Sequence, residues 1–291
     1  MSNDKIPVTV LIAARNEEAN MEKCIRSLAP AERVIVLDSM STDATPSIAR
    51  ELGAEVVDFI YSGGYPKKRQ WALDTLEFST EWVLLLDADE EVPPPLWSEI
   101  RQAIATSSYD AFLIRKGFHF MGRRFRFGGF SHQAVLLFRN GRARFEELID
   151  DPASALDMEV HERVLVEGSI GILQTPLIHE DYKGLEAYID RHNRYSTWEA
   201  RLRSDFLARG SYGRQAVRAR FFGDAQERRR FLKKVVIRLP FESWIWFLYH
   251  YVARLGVLEG KRGFIASRIR ADYIGQVRAK MFELQKSNRT T

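Results

Sequence analysis

The sequence predicts an α/β protein organised on a doubly wound, mostly parallel sheet. Short apolar runs rich in β-branched residues recur at 7–14, 34–37, 54–57 and 82–86. They lack polar alternation, as strands buried on both faces do. Segments of helical character follow them in turn, and strand–helix alternation four times over is the signature of parallel strands with crossovers. The run Trp82-Val83-Leu84-Leu85-Leu86 also leads straight into Asp87, Asp89, Glu90 and Glu91. Ligands of open α/β sheets bind outside the carboxyl ends of the strands.

Each element has its own justification. After the strand ending at Ala14, the polar Arg15-Asn16-Glu17-Glu18 precedes Met21, Cys24, Ile25 and Leu28 at helical spacing. After Val34–Leu37, Asp38-Ser39 and Ser41-Thr42-Asp43 carry the small polar character of a helix cap, and Gly53 suits the end of that helix. Gly63-Gly64-Tyr65-Pro66 is a turn before a helix opened by Lys67-Lys68-Arg69-Gln70. Pro93-Pro94-Pro95 opens another helix. Strands are expected at 111–114 and 134–138, with Asn140-Gly141 as a turn. Between them, residues 115–130 mix arginines, phenylalanines and glycines, which suits either a hairpin over core or, better, a surface for an anionic, partly greasy acceptor. From Leu185 the pattern is helical, broken near Gly210, Gly223, Pro240 and Gly260.

Composition narrows the classes. With 291 residues and 45% hydrophobic content there is enough chain for one or two domains. One cysteine, Cys24, excludes an internal disulfide and a cysteine metal cluster. The polar start gives no secretory signal, so a protein that is cytosolic or on the cytosolic side of a membrane is expected. Residues 201–291 hold 21 Lys and Arg against 7 Asp and Glu, an excess of 14, while the first 200 residues carry a deficit of 10. A basic end on an acidic body suggests an anionic partner. In 235–258, Arg238, Pro240, Glu242, His250 and Arg254 interrupt the apolar run, so a simple membrane span is rejected. Trp and Tyr beside Arg and Lys suit the membrane–water interface instead. No aromatic RNA-binding motif or zinc spacing points to nucleic acid.

In an extended chain Asp87 and Asp89 point to one side, where two carboxylates can share Mn²⁺ or Mg²⁺ with substrate phosphates. Together with Ala14-Arg15-Asn16-Glu17, Asp38-Ser39, Ser41-Thr42-Asp43 and Arg69-Gln70-Trp71-Ala72, the Asp87-Ala88-Asp89 motif resembles the family 2 glycosyltransferases in both order and spacing. The Gly122–Gly129 loop, His161-Glu162, Gly168, His179 and the basic aromatic end resemble, more loosely, the bacterial lipopolysaccharide-core β-glucosyltransferases.

That resemblance implies the GT-A fold, a Rossmann-like, mostly parallel sheet with helices on both faces, here with a C-terminal amphipathic helical region. It divides the chain into 1–115 for the nucleotide sugar, 116–200 for the acceptor side, and 201–291 for membrane association. It implies an inverting transfer of a hexose from a UDP-sugar to a lipid-linked or lipopolysaccharide-type acceptor on the cytoplasmic face of the inner membrane, with self-association left open. Asp89 would ligate Mn²⁺ or Mg²⁺, and Asp87 would reach the ribose or the metal shell. His179 would complete the metal set. Asp38 would meet uracil or ribose, Glu17 the ribose, and Lys68 and Arg69 the diphosphate. Ala14, Arg15 and Ala88 fall in the same nucleotide-sugar motifs. Glu162 would be the general base, with Asp150 and Asp151 as rivals. Two other classes stand beside this one. A sugar-phosphate nucleotidyltransferase would carry a glycine-rich loop where Ala14-Arg15-Asn16-Glu17 has none. A non-catalytic membrane adaptor leaves the acidic strand end unexplained.

Overall fold

The computed structural model describes residues 5–148, 156–159, 162–210, 220–222 and 225–290. Asp150, Asp151 and His161 lie outside the described residues. The chain forms two compact units, one made of residues 1–124, 131–145 and 157–184, the other of 125–130, 146–156 and 185–291.

In the first unit, β1 (Ile6–Ala14), β2 (Ala31–Asp38), β3 (Glu55–Asp58) and β4 (Trp82–Asp87) alternate with α1 (Glu18–Arg26), α2 (Thr45–Glu51) and α3 (Lys68–Thr75). Next come β5 (Glu90–Glu91), α4 (Pro94–Thr106), β6 (Ala111–Phe120), β7 (Arg123–Arg124), β8 (His132–Arg139) and β9 (Ala143–Phe145). The last strands are β10 (Val164–Val166), β11 (Ile170–Ile172) and β12 (Leu177–His179). The sheet order is β3-β2-β1-β4-β8-β6-β12-β5. The predicted parallel half is present: β1 pairs parallel with β2 and β4, and β2 with β3. Beyond β4 the sheet turns mixed, because β8 is antiparallel to both β4 and β6. β1 is flanked on both sides and Val8, Val10, Leu11 and Ile12 are wholly buried, which explains its unbroken apolar sequence.

Part of the 115–130 segment takes the hairpin form expected as its alternative. Its first third extends β6 to Phe120, and Arg123–Arg124 folds back on it, pairing with Phe120 and His119. Met121 and Gly122 make the turn, both with positive φ. Phe118 and Phe120 stack along β6. The alternating arginines and phenylalanines are in part the two faces of a hairpin.

The second unit contains α5 (Gly184–Arg209), α6 (Ala225–Val236), α7 (Glu242–Leu248), a π-turn (Tyr249–Ala253), a 3-10 turn (Gly256–Glu259) and α8 (Gly260–Thr290). α5 runs unbroken through residue 200, where a boundary was expected. Trp198, Leu202, Phe206, Leu148 and Ile237 form one apolar cluster; Ala200, Tyr273, Ile274, Val277 and Met281 form another. Among the described residues, no helix is long and apolar enough to cross a membrane.

Candidate active site

Register brings the predicted residues to one edge of the parallel sheet. Ala14 lies opposite Asp38 across β1 and β2, and Ala13 opposite Asp87 across β1 and β4. The loops after β1 and β2 are then stitched together. Asn16 N–H donates to Ser41 Oγ at 2.8 Å, Thr42 N–H to Asn16 Oδ1 at 2.8 Å, and Glu17 N–H to Thr45 Oγ1 at 2.7 Å. Asp38 is buried, and its carboxylate accepts from the Ser41 backbone N–H and hydroxyl. Arg15 is exposed and Ala88 buried.

Glu17 accepts from Lys183 Nζ at 2.5 Å and Asn20 Nδ2 at 2.7 Å. Burial raises its carboxyl above the ordinary value, and the Asp89 charge adds to that; Lys183 opposes without cancelling it. Asp89 is also next to His179, whose Nε2 is 3.4 Å from Asp89 Oδ2. Sheet pairing makes this contact: β12 sets His179 beside Phe118 of β6 on one side and Glu90 of β5 on the other. The Glu180 N–H closes the same corner by donating to the Asp89 carbonyl at 3.0 Å. Burial disfavours the His179 cation, but Asp89 outweighs that and holds its pKa up to about 9.

Asp87 has a different environment from the one its spacing suggested. β4 ends at Asp87 and the chain turns there, so Asp87 and Asp89 are not successive outward residues of one strand. Arg69 donates to Asp87 Oδ1, and Lys116 Nζ to Oδ2 at 2.7 Å. Lys116 also meets Glu90 Oε1 at 2.8 Å, while Glu90 Oε2 accepts the Asp87 N–H at 2.9 Å. Burial alone would raise the Asp87 pKa; Lys116 and then Arg69 overcome it and hold the carboxyl well below the usual range. Lys116 is correspondingly pushed up, Asp87 and Glu90 outweighing its burial.

Lys68 and Arg69, expected near the diphosphate, are held by protein partners. Both are buried. Lys68 Nζ donates to the Ala14 carbonyl at 2.8 Å and pairs with Asp157 at 3.1 Å, with burial lowering its pKa. The N-terminus of α3 is capped from outside the helix. The Glu159 carboxylate accepts Gln70 N–H at 3.0 Å and Arg69 N–H at 3.3 Å, and the Asp157 carbonyl accepts Lys68 N–H at 2.9 Å.

Glu162, expected as the general base, is enclosed by protein. Its side chain is 0% exposed, and Oε1 accepts from Lys67 Nζ at 2.6 Å and Tyr65 OH at 2.9 Å. A general base must reach the acceptor hydroxyl directly or through one water. Here the Glu162 carboxylate is enclosed by protein and already holds an ammonium. Lys116, Glu90, Asp157, Glu159 and Lys183 were missed. Of these, only Glu90, inside the acidic run, carried a signal in the sequence. Among the described residues, no three His, Cys, Asp or Glu side chains converge closely enough to hold a metal ion by themselves.

The fold and this strand-end cluster of carboxylates define an α/β enzyme whose ligand site lies at the carboxyl edge of its parallel strands. The model of Glycosyl transferase family 2 matches residues 9–155, just over half of the chain. The chain belongs to that family: it is a glycosyltransferase with the GT-A fold. It is 29% identical over 208 residues to the lipopolysaccharide core biosynthesis glycosyltransferase LpsC of Rhizobium meliloti, covering 67% of this chain and 71% of the relative. It is 26% identical to an uncharacterized glycosyltransferase of Rickettsia typhi, covering 97% and 89%. Among solved structures, glucosyl-3-phosphoglycerate synthase of Mycobacterium tuberculosis with Mn²⁺, UDP and glucosyl-3-phosphoglycerate aligns at 30% identity and a TM-score of 0.31. That alignment spans 40% of this chain and only 45% of the other, so it bears on neither fold nor ligand.

Proposed function

We propose that this glycosyltransferase moves a hexose from a UDP-sugar to a hydroxyl of a lipid-linked or lipopolysaccharide-type acceptor, inverting the anomeric carbon. The observation that carries the donor half is the convergence of Glu17, Asp38 and Asp89 on the loops after β1, β2 and β4. Asp38 is fixed by Ser41 and keeps further lone pairs for a base N–H or ribose hydroxyl. Glu17 accepts from the ribose, and Asp87, held ionised by Arg69 and Lys116, accepts beside it. Arg69 and Lys116 thus act through Asp87 rather than on the diphosphate. The acceptor half is supported by the similarity to LpsC and by the basic, aromatic C-terminal residues. It makes the enzyme a peripheral protein working at the cytoplasmic face of the inner membrane.

The residues present fit a divalent cation. Asp89 and His179 give one carboxylate and one imidazole side by side, a pair that Mn²⁺ or Mg²⁺ accepts when phosphate oxygens and water fill the remaining positions. When bound, such a cation offsets charge on the departing diphosphate. Asp87 is left out of the ligand set because Arg69 and Lys116 already balance its charge, while its remaining lone pairs stay open to a hydroxyl. With Glu162 enclosed by Lys67 and Tyr65, its proposed part is to hold Lys67 at the start of α3. Asp150 and Asp151 are then the carboxylates to test as base.

The deciding experiment screens nucleotide hexoses for thermal stabilisation of the chain with Mn²⁺, then for transfer to a lipopolysaccharide-core acceptor. Stabilisation by UDP-hexoses that EDTA abolishes is expected. Equal stabilisation by all nucleotides, or full transfer in EDTA, overturns the donor and metal assignments respectively.

A further inference from the structure

A helix on the surface of a water-soluble unit normally turns its polar face outward. In the second unit, residues 242–252 do the reverse. Glu242, Trp246 and His250, four apart, turn inward; Glu242 and His250 are buried and Trp246 packs on the Tyr273 cluster. Trp244, Leu248 and Val252, also four apart, are on the other side, each more than half exposed. The following turn continues the exposed surface with Leu255 and Leu258.

Charge is sorted the same way. The acids of residues 239–264 are Glu242 and Glu259, and both are withdrawn into the unit. Glu242 pairs with Arg203 at 2.9 Å, and Glu259 accepts the backbone N–H groups of Arg126 and Phe127 at 2.7 and 2.9 Å. The cations of the same stretch, Arg254, Lys261 and Arg262, are exposed. What faces water is therefore apolar and cationic, with no exposed acid. The arrangement is held firmly. His250 Nδ1–H donates to the Gly128 carbonyl at 2.6 Å, and Gly263 sits so close to the Gly256 carbonyl that a Cβ there would lie 1.9 Å from its oxygen. Phe241 and Leu255 adopt left-handed φ angles that large side chains rarely take, and both end up exposed.

We propose that the Trp244–Leu258 surface is an interfacial docking face that lies on an anionic phospholipid bilayer, apolar side chains among the acyl-chain tops and Arg254, Lys261 and Arg262 at the headgroups. It rests on the membrane-side reading above and gives it an address. A second copy of the chain would bring the same three cations against each other, whereas an anionic lipid surface complements them.

Co-sedimentation of the full chain with vesicles tests this, comparing phosphatidylcholine alone with phosphatidylcholine mixed with phosphatidylglycerol. Binding to the mixed vesicles only, weakened by high salt, is expected. Leu248→Asp with Val252→Asp should weaken it at least about tenfold. Lys261→Gln with Arg262→Gln should weaken it about twenty-fivefold, roughly fivefold per charge. As a check free of destabilising changes, acyl-brominated phosphatidylglycerol mixtures should quench wild-type tryptophan fluorescence, and Trp244→Phe should remove much of that quenching. Equal binding to both vesicle types, no loss in either double variant, or no quenching overturns the proposal. So does a dimer that Leu248→Asp dissociates while vesicles fail to bind. Transfer to a detergent-dispersed acceptor is measured in parallel. Its survival in the non-binding variants separates failure of the docking face from failure of the transferase assignment.

Discussion

Two charge clusters of the same make-up occur in this chain, one in each compact unit. Asp87 and Glu90 pair with Arg69 and Lys116 in the first; Glu199 and Glu242 pair with Arg203 and Arg278 in the second. Each sets two acids against two cations. In the second cluster Arg203 and the two acids close on each other, with Arg278 at the rim: Arg203 bridges both acids at 2.8–2.9 Å, and Tyr273 OH donates to the remaining Glu199 oxygen. The first continues into Glu17, Asp89, His179 and Lys183, whose side chains are 12–26% exposed. A buried ion network is by itself weak evidence of function. What separates the two is the next residue out: in one it is more protein, in the other it is carboxylates at a strand edge.

The contrast is broken most directly at Asp89. Asp89→Ala should lower transfer by at least about 10³-fold, the several kcal/mol a Lewis-acid cation supplies, with the melting temperature nearly unchanged. Steady-state rates and a thermal melt on the same preparation check this, and a large fall in melting temperature would make the outer carboxylates structural as well.

Removing Arg203 should do the opposite. Arg203→Met strands Glu199 and Glu242 and should cost about 3–5 kcal/mol, lowering the melting temperature by roughly 6–20 °C. An unaltered melt would mean the closed cluster does not hold the helices.

Glu162 tests whether a third buried pair belongs with the structural class. If it does, Glu162→Gln and Lys67→Met should each destabilise by about 3–5 kcal/mol, and the double variant by clearly less than their sum. A kcat loss of about 10²–10⁴ confined to Glu162→Gln, with an intact melt, would restore it as the base.

The smallest effect comes from His250, a buried ring with no carboxylate partner. Burial lowers its pKa to about 4, with Arg270 and Arg254 adding to that and the Gly128 carbonyl opposing it. The folded value lies below the unfolded value of about 6.5, so the unfolded chain protonates first. Stability is complete above about pH 6.5, falls as pH drops towards 4, and levels off below, a loss of at most about 3 kcal/mol. Denaturation curves for wild type and His250→Phe should diverge only across that window; parallel curves would mean that His250 is not held neutral.

The parallel half of the sheet was legible because burial on both faces writes itself as unbroken apolar sequence, as in β1 and β4. Strand ends are equally visible, which is why Glu17, Asp38, Asp87 and Asp89 stood out. Long-range partners were not legible. Lys116 reaches Asp87 only because β6 crosses beside β12 and β8, and nothing local to Arg115-Lys116-Gly117 encodes that. The strand at 134–138 was legible, but its antiparallel direction was not, since an apolar run does not state its direction. The surroundings of Glu162 were equally hidden, because its neighbours in sequence say nothing of Lys67, which lies 95 residues earlier. The closed cluster was invisible: Glu199 and Arg203 look like an ordinary helical i,i+4 pair until Glu242 joins them.

The hydrogen bonds that tie Asn16 and Glu17 to Ser41, Thr42 and Thr45 bear on how this enzyme could change its donor. The two loops share their polar groups, so neither has a shape of its own. Exchanging one loop for that of another family member would leave backbone N–H groups without acceptors and collapse the other loop as well. On the proposed donor site, base preference would be inherited in pairs: a swap of residues 15–18 alone should yield a folded but donor-blind protein, and only a joint transplant with 38–45 should carry a new nucleotide preference across.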